Sequence, residues 1–260
     1  SVKCGLFLTN GTLVEQWEIP TRLENNGSSI LPDVADAIKT KLDERGITKD
    51  NVDGVGIGIP GPVNENGEVP MAVNLHWGFK AVASELSALT GLPAKAANDA
   101  NIAALGEAWK GAAEGAKNVI LVTLGTGVGG GVILDQKIIA GKHGLGGEIG
   151  HIHVRDDEWE HCNCGGVGCL EQVSSATGIA REARRTMAKS DKQSMLRQFG
   201  DNVSAKNVLD AAKAGDEMAL EVMKTVSHYL GLALAQVALT VDPEIFCYRR
   251  RCIKGRTVPY

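Results

Sequence analysis

Three cysteines and one histidine in a glycine-rich stretch constrain the fold more than any other feature of this sequence. His151 is followed by Cys162-x-Cys164 and then by Cys169. Thiolate and imidazole ligands in this number are what a four-coordinate zinc ion requires. Because glycines interrupt the run, the loop suits the presentation of ligands better than packing. We expect it to need zinc in order to become ordered.

These residues also allow simpler interpretations. The cysteines could be reduced, buried side chains that act as small apolar groups, or two of them could form a disulfide. The fourth ligand could also be His153 or His161. His161 adjoins Cys162, which makes a shared tetrahedron awkward, and His153 lies one strand face away from His151. We therefore predict His151 as the fourth ligand.

The composition excludes several classes of protein. A chain of 260 residues with 43% hydrophobic residues can form one large or two ordinary domains. The net charge of −4 is dispersed along the chain, which argues against a nucleic-acid partner. The arginines at 181, 184 and 185 are interpreted as a solvated helix face. No apolar run reaches the ~20 residues of a membrane span, and no signal peptide is evident. We expect a cytoplasmic protein without a membrane partner.

Alternating strand and helix patterns predict an α/β fold. Residues 2–8 and 12–19 are predicted to form a hairpin around Asn10-Gly11. A helix capped by Ser28 or Ser29 begins at Ile30 and ends at Gly46. We predict a domain boundary near Asn98. Further helices are predicted over 82–89, about 98–111, 171–187, 205–214 and 217–241, with strands over 52–59, 118–124 and 132–134.

Two predicted strands end in residues that could bind a ligand. Pro60-Gly61-Pro62 follows the strand 52–59, at the kind of edge where open α/β sheets bind ligands. Asn98 and Asp99 follow the next short strand, although Asp99 could serve only as a helix N-cap. The polar and aromatic loop 74–78 has no periodic pattern. It could contribute to a ligand site, or it could be an ordinary surface loop.

A glycine-rich segment follows the apolar strand 118–124. Gly125-Thr126-Gly127-Val128 leads into Gly129-Gly130-Gly131, and a strand resumes at Val132. We predict that all these glycines lie in a hairpin turn, which argues against both a dinucleotide fingerprint and a Walker loop. Backbone N–H groups that glycine exposes can still hold phosphate. The alternative is a purely structural turn.

Five stretches, in this order, resemble the ROK family of repressors, open-reading-frame proteins and sugar kinases, and in particular the glucokinases of Gram-positive bacteria. They are PGP at 60–62, NDAN at 98–101, LGTGVGGG at 124–131, GEIGH at 147–151 and CNCGGVGCLE at 162–171. The resemblance implies an α/β, actin-like (ribonuclease H-like) ATPase fold. Its two α/β domains would span residues 1–97 and 98–245, and the fold would be incomplete at both ends.

The resemblance also implies roles for individual residues. Asp99 would be the base that takes the proton of a hexose 6-hydroxyl as it attacks the γ-phosphate of ATP. Zinc held by His151 and the three cysteines would be structural. Relatives commonly form homodimers. The remaining implied contacts are to the hexose, from Gly61, Asn98, Glu148, His151 and Glu171, and to ATP with Mg²⁺, from Gly125, Thr126, Gly127, Gly129 and Gly130.

The sequence departs from the family pattern at both ends. Family members begin with a strand and an Asp-x-Gly-Gly-Thr turn, and we expect that turn to be missing here. Near the C-terminus the family has an apolar strand and a glycine-rich turn, whereas residues 246–260 form a basic tail. Suitable codons for this tail, read one nucleotide later, spell the family's continuation. We therefore expect residues 246–260 to be an aberrant, frameshifted tail in which Cys247 and Cys252 have no role.

Three functions are compatible with these observations. The first is an ATP-dependent hexose kinase, with glucose as the expected substrate. The second is a sugar-responsive repressor of the same family, which would need an N-terminal helix-turn-helix not found in this sequence. The third is a non-catalytic remnant that keeps zinc and sugar but not ATP. The third function stays open because neither the expected phosphate turn nor the adenosine turn is found.

Overall fold

The computed structural model describes residues 1–250, and their side chains up to residue 248. The chain divides into two compact units. The first comprises Ser1–Glu114 and Ile138–Gly146, and the second comprises Gly115–Lys137 and the chain from Gly147 onward. Residues 98–114 thus belong to the first unit, whereas the sequence suggests a boundary near Asn98.

The first unit contains two pairs of strands with helices between them. β1 pairs with β2 as an antiparallel hairpin, and β3 pairs with β4 in parallel. The parallel register sets Ile59 beside Asn98, so the carboxyl ends of β3 and β4 are adjacent. The elements are β1 Val2–Phe7, β2 Leu13–Ile19, the single helical turn α1 Glu24–Gly27, α2 Ile30–Glu44, β3 Val55–Ile59, α3 Val82–Thr90, β4 Ala94–Asn98 and α4 Asp99–Lys110.

The core of this unit follows from the apolar spacing of its helices. Leu31 and Val34 of α2 pack with Val82 and Leu86 of α3, and all four are buried. The hairpin and α2 confirm the sequence prediction. Ser29 occupies the N-cap position, one of the two predicted choices, but its side chain makes no capping hydrogen bond.

The second unit is built on a four-stranded mixed sheet in the order β7-β6-β5-β8. β5 lies between an antiparallel β6 and a parallel β8. Residues 119–122 of β5 are all fully buried, as expected for a strand covered on both faces. The elements are β5 Val119–Leu124, β6 Val128–Leu134, β7 Lys137–Ile138, α5 Leu170–Ser174, α6 Ala176–Lys189, α7 Ala205–Lys213, α8 Glu217–Val241 and β8 Ile245–Arg250.

Short 3₁₀ turns complete the described secondary structure. They lie at Lys49–Asn51, Val73–Leu75, Ile149–His151 and Met195–Asn202. None of the helices within residues 1–250 has the length and apolarity needed to cross a bilayer.

The glycine-rich segment differs from the prediction. β6 begins at Val128, so Gly129, Gly130 and Gly131 are strand residues and only residues 125–127 form the turn. The reason is close packing. A Cβ on Gly130 would lie 2.4 Å from the backbone oxygen of Gly147. The glycines thus allow another backbone segment to pack directly on this strand.

The single helix predicted over 171–187 is also wrong, because it is two helices. Ser175 has an extended backbone with φ −74° and ψ 169°, which ends α5, and its hydroxyl accepts a hydrogen bond from the N–H of Gly178 to cap α6. A serine that caps a helix is hard to distinguish by periodicity from a serine within one.

Part of the expected tail lies in the sheet. Residues 246–250 belong to β8, where Phe246 is paired with Ile120 and Cys247 with Leu121. Cys247 is buried in this sheet, whereas the prediction assigned it no role. Residues 251–260, including Cys252, lie outside the described part of the chain.

Candidate functional site

In the first unit, Asn98 joins the Gly61 turn to the start of α4. Its Nδ2 donates to the backbone oxygen of Gly61 at 3.0 Å. Its Oδ1 accepts from the N–H groups of Ala100 and Asn101, at 2.9 and 3.1 Å, which makes Asn98 the N-cap of α4. One N–H of the amide then remains for a ligand. Asn98 is therefore mainly a support for two neighbouring backbone segments.

Asp99 is the first residue of α4, and the alternative that it is merely the N-cap is wrong because Asn98 has that role. The side chain is half-buried, and its Oδ1 accepts from the N–H of Ala100 at 2.9 Å. A carboxylate at this position also gains from the positive end of the helix dipole. The Asp99 carboxylate thus lies next to the cap that contacts Gly61 and shares the N–H of Ala100 with Asn98.

In the second unit, the glycine-rich turn offers few amides to a phosphate. The N–H of Gly125 donates to the oxygen of Gly127 at 2.9 Å, and the N–H of Val128 donates to Glu171. The amides of Thr126 and Gly127 are the ones that a phosphate could use. The turn is also held by α6, because the hydroxyl of Thr177 donates to the backbone oxygen of Thr126 at 2.9 Å.

Glu171 lies on the short helix α5 and contacts this turn. Its Oε2 accepts from the N–H of Val128 at 2.9 Å. A Cβ on Gly127 would lie 2.1 Å from the same oxygen, so any larger residue there would displace the carboxylate. Glu171, a candidate sugar-binding residue, is thus in direct contact with the candidate phosphate-binding turn.

Glu148 directly precedes the 3₁₀ turn Ile149–His151, and His151 is its last residue. This turn packs on β6 and α5. The Nε2 of His151 lies 4.0 Å from the Oε2 of Glu148. The second ring nitrogen, Nδ1, lies 3.6 Å from the Sγ of Cys162. The imidazole thus has one nitrogen toward a thiol and the other toward a carboxylate.

The predicted metal ligands come together in the structure. The ligand atoms of His151, Cys162, Cys164 and Cys169 all lie within 4.8 Å of one another. The Sγ atoms of Cys164 and Cys169 are 3.6 Å apart. Zn–S bonds of about 2.3 Å and Zn–N bonds of about 2.0 Å place tetrahedral ligands about 3.5–3.8 Å apart. The four atoms therefore fit a zinc ion.

The three thiols of this group influence one another's acidity. Burial, together with hydrogen bonding to the thiols of Cys164 and Cys162, raises the pKa of Cys169 to about 12. Burial also acts to raise the pKa of Cys164, but the N–H of Gly166 and the two neighbouring thiols outweigh it and lower the pKa. A bound cation would stabilise all three thiolates.

The structure does not support the alternatives to this ligand set, which were a different histidine or a disulfide. The ring nitrogens of His153 lie at hydrogen-bond distance from two acceptors, 2.8 Å from the backbone oxygen of Val167 and 2.9 Å from the carboxylate of Asp156. A ring nitrogen of His161 lies 3.3 Å from the backbone oxygen of Gly165. The three loop cysteines carry free thiols. His151 is therefore the histidine that the structure groups with them.

A buried network of charges next to the cysteine loop 162–169 was not predicted from the sequence. The side chain of Glu158 has no exposed surface and contacts both Arg181 and Arg185. These arginines are only 17% and 14% exposed, so their interpretation as a solvated helix face is wrong. The partners are distant in the sequence, and no local pattern marks them. The unusual density of acidic residues just before Cys162 was the available signal.

The predicted site residues form two groups. Gly61, Asn98 and Asp99 lie together in the first unit. In the second unit, Glu171 contacts the turn 125–127. Glu171 lies two residues after the metal-ligand candidate Cys169, which is the N-cap of α5. Gly129 and Gly130 lie beyond the turn in β6, and close packing against Gly147 explains Gly130.

The chain is similar to known glucokinases in sequence and in fold. The glucokinase of Halalkalibacterium halodurans is 42% identical over 247 residues, covering 94% of this chain and 75% of that protein. A ROK family glucokinase from Streptomyces griseus, solved in complex with glucose and AMPPNP, is 31% identical, with a TM-score of 0.69, and the match covers 95% of this chain and 78% of that one.

A regulator of transcription is also similar. A ROK family transcriptional regulator, a homologue of the E. coli MLC protein, has a TM-score of 0.77 and 28% identity, and the match covers 95% of this chain and 61% of that one. Similar structures thus include both a kinase and a regulator. The ROK family profile matches residues 1–250, and the chain belongs to the ROK family.

Proposed function

We propose that this protein is an ATP-dependent hexose kinase that converts glucose to glucose 6-phosphate. The observation that carries the proposal is the position of Asp99, an oriented carboxylate at the start of α4 whose capping role is taken by Asn98. The similarity to glucokinases over 94% of this chain supports glucose as the substrate. An alcohol nucleophile needs a carboxylate base of this kind.

In the proposed reaction, Asp99 accepts the proton of the 6-hydroxyl. The hydroxyl oxygen attacks the γ-phosphorus, the bond from the γ-phosphorus to the bridging oxygen breaks, and ADP leaves. Most of the rate enhancement comes from positioning and charge neutralisation, because the phosphoryl group transfers through a loose transition state. Mg²⁺ enters with ATP and neutralises charge on its phosphates.

Sugar recognition is assigned to Gly61, Asn98, Glu148, His151 and Glu171. Carboxylates and an amide at fixed positions distinguish hydroxyl groups well, because an unmatched polar group is costly to bury. Asn98 contributes its remaining N–H, and Glu171 contributes the carboxylate oxygen that does not face Val128.

Phosphate binding is assigned to the turn 125–127, through the amides of Thr126 and Gly127. Gly129 and Gly130 would act indirectly, as strand residues next to the turn, and Gly130 lets the backbone at Gly147 pack closely on β6. Two amides are a modest phosphate site, so Mg²⁺ and further groups must supply the rest of the binding.

Zinc is assigned a structural role, with His151, Cys162, Cys164 and Cys169 as its ligands. When bound, it adds folding free energy and no reactive water, because all four positions are filled by the protein. Coordination through Nδ1 fixes the tautomer of His151, so Nε2 carries the proton and can donate it in a hydrogen bond to a sugar hydroxyl.

A coupled assay with glucose, ATP and Mg²⁺ tests the proposal, with Asp99→Asn as the key variant. We expect turnover by the wild-type protein and a kcat about 10²–10⁴ times lower in the variant, because general base catalysis is lost. Glucose affinity, measured by calorimetry, should change much less. Turnover that survives Asp99→Asn would remove Asp99 as the base.

The same assay separates the alternative functions. Glucose binding without turnover would contradict the kinase and favour the sugar-binding remnant or the regulator. Mannose, allose and N-acetylmannosamine as substrates test the choice of glucose. We further propose that the protein is a homodimer in the cytoplasm, where cysteine thiols stay reduced.

A further inference from the structure

We propose that Arg181 is a positioning residue for Glu171, through the buried ion cluster that it forms with Glu158. This inference rests on the proposed role of Glu171 in binding the sugar. The cluster consists of Arg181 and Arg185 on α6 with Glu158 and Glu160 on the loop before Cys162.

Helix α5, which carries Glu171, cannot hold its position alone. It has only five residues, Leu170–Ser174, and isolated helices of this length are unstable in water. Its position must therefore come from tertiary contacts. Two of them are on the turn side, where Glu171 meets Val128 and the N–H of Ala176, just beyond the helix, donates to the oxygen of Gly125 at 2.8 Å.

On its opposite side, α5 is held through Gln172. The side-chain Nε2 of Gln172 donates to the oxygen of Glu160 at 2.8 Å, and its Oε1 accepts from the N–H of Cys169 at 3.1 Å. Arg181 completes this set, because its Nη2 donates to the backbone oxygen of Gln172 at 2.6 Å. The residue next to Glu171 is thus fixed at both its side chain and its carbonyl.

The same Nη2 of Arg181 also donates to the Oε2 of Glu158 at 2.9 Å, and Nη1 donates to Glu160 at 3.1 Å. Glu158 cannot move to follow a displaced arginine. Its carboxylate is held by two donors of Arg185 at 2.9 Å and by the N–H groups of Trp159 and Glu160 at 3.1 Å. Arg181 is therefore a rigid link between the loop and α5.

None of the residues in this link is itself a metal-ligand candidate. Its donor and acceptor atoms belong to residues 158, 160, 172 and 181. It meets the ligand candidates at Cys169, whose backbone N–H donates to Gln172. Loss of Arg181 should leave Glu158 paired with Arg185, so the fold and the zinc site should persist. What should change is the placement of α5, and with it the sugar contact of Glu171.

The test is a double-mutant cycle with Arg181→Gln and Glu171→Gln. We expect Arg181→Gln to raise the KM for glucose about tenfold with kcat within about threefold, because Glu171 contributes to substrate and transition-state binding alike. In the Glu171→Gln background, Arg181→Gln should change KM less than about twofold, because both variants act through one contact. Additive effects of the two variants would overturn the proposal.

Two measurements separate positioning from general damage. Zinc content should stay at that of the wild type in Arg181→Gln, and its loss would show that the effect runs through the metal loop, contrary to the proposal. Arg181→Lys should give a smaller rise in KM, and it decides the question if Arg181→Gln does not fold. Lys206→Gln, which removes the exposed pair with Asp210 on α7, is the matched control and should leave KM unchanged.

The proposal can fail independently of the kinase assignment. If the wild-type protein binds glucose without turnover, the phosphoryl transfer is contradicted, and the same cycle read as glucose Kd by calorimetry still decides the role of Arg181. An unchanged KM or Kd in both Arg181 variants contradicts the positioning role alone. No glucose binding by the wild type would contradict both.

Discussion

The carboxylate of Glu171 accepts a hydrogen bond from the backbone N–H of Val128 at 2.9 Å. This hydrogen bond connects a candidate sugar-binding residue to the candidate phosphate-binding turn within one unit. A shift in either segment is therefore transmitted to the other. Glu171 also depends on a glycine, because Gly127 leaves the space that its Oε2 occupies.

Gly127→Ala should therefore impair catalysis more than folding. The new Cβ would lie 2.1 Å from the Oε2 of Glu171 and push the carboxylate away from Val128. We expect kcat/KM for glucose to fall about 10–100-fold, since misplacement by about 1 Å can have effects of that size. Gly231→Ala in α8, where a Cβ meets no atom within 4 Å, is the control. Equal activity of the two variants would contradict this role of Gly127.

Cys164→Ser should remove zinc from the protein. The side chain is exposed, so the substitution should disturb packing little while it removes one of four ligands. We expect zinc per chain, measured by elemental analysis, to fall from one to near zero, and the Tm to fall by about 5 °C or more. Cys4→Ser in β1 should change neither quantity. A variant that retains both zinc and Tm would show that these four residues do not hold the ion.

Asn98→Ala should destabilise the first unit. It removes the cap of α4 and the hydrogen bond to the oxygen of Gly61. Loss of an N-cap costs about 0.5–2 kcal/mol, and an unmatched backbone oxygen adds to that. We expect urea unfolding to show a loss of about 2 kcal/mol in the free energy of unfolding. Asn98→Ser keeps a capping oxygen and should recover part of it; equal losses in both variants would mean that the cap contributes little.

Because the carboxylate of Glu158 is buried and paired with arginines, we expect the stability of the protein to depend on pH. Hydrogen bonds from Arg185 lower its pKa from 4.5 to about 2, against the effect of burial, with the N–H of Glu160 and the charge of Arg181 also lowering it. A lowered pKa in the folded state stabilises the protein above the unfolded pKa, and this stabilisation is lost as pH falls from about 4.5 to 2. Glu160 and Glu182 also lie near Glu158, since each forms an ion pair with Arg185.

Glu158→Gln should therefore lose most stability at neutral pH. We expect a loss of about 3–5 kcal/mol at pH 7, because the variant leaves buried arginines without their partner. The difference from the wild type should shrink as pH approaches 2. Asp210→Asn removes an exposed carboxylate and is the control, because an exposed ion pair contributes little to stability. A constant difference between wild type and Glu158→Gln from pH 7 to 2 would contradict the assignment.

Much of the fold could be predicted because it depends on local patterns. The hairpin around Asn10-Gly11, helix α2 and strand β5 follow from turn residues and apolar spacing, and the structure confirms them. The grouping of His151 with the three cysteines could also be inferred, since ligand type and spacing limit the choices. The roles of Asp99 and Glu171 stay predictions.

Two of the errors have a common physical cause, which is contact between distant segments. Gly130 resembles a turn residue, but it is glycine because the backbone at Gly147 packs on it. Arg181 resembles a surface cation until Glu158, 23 positions away, is seen beside it. Short windows of sequence do not contain both partners of such contacts.

The pairing of β5 with β8 sets Val119 beside Ile245, and most of the residues of the second unit lie between them in the sequence. During synthesis, β5 emerges long before its second neighbour does. Until then its apolar residues 119–122 have an unpaired edge that can associate with other chains. Folding of this unit is therefore expected to be slow and to complete late, since the pairing closes a very long loop. Aggregation during expression should be most sensitive to changes in these two strands.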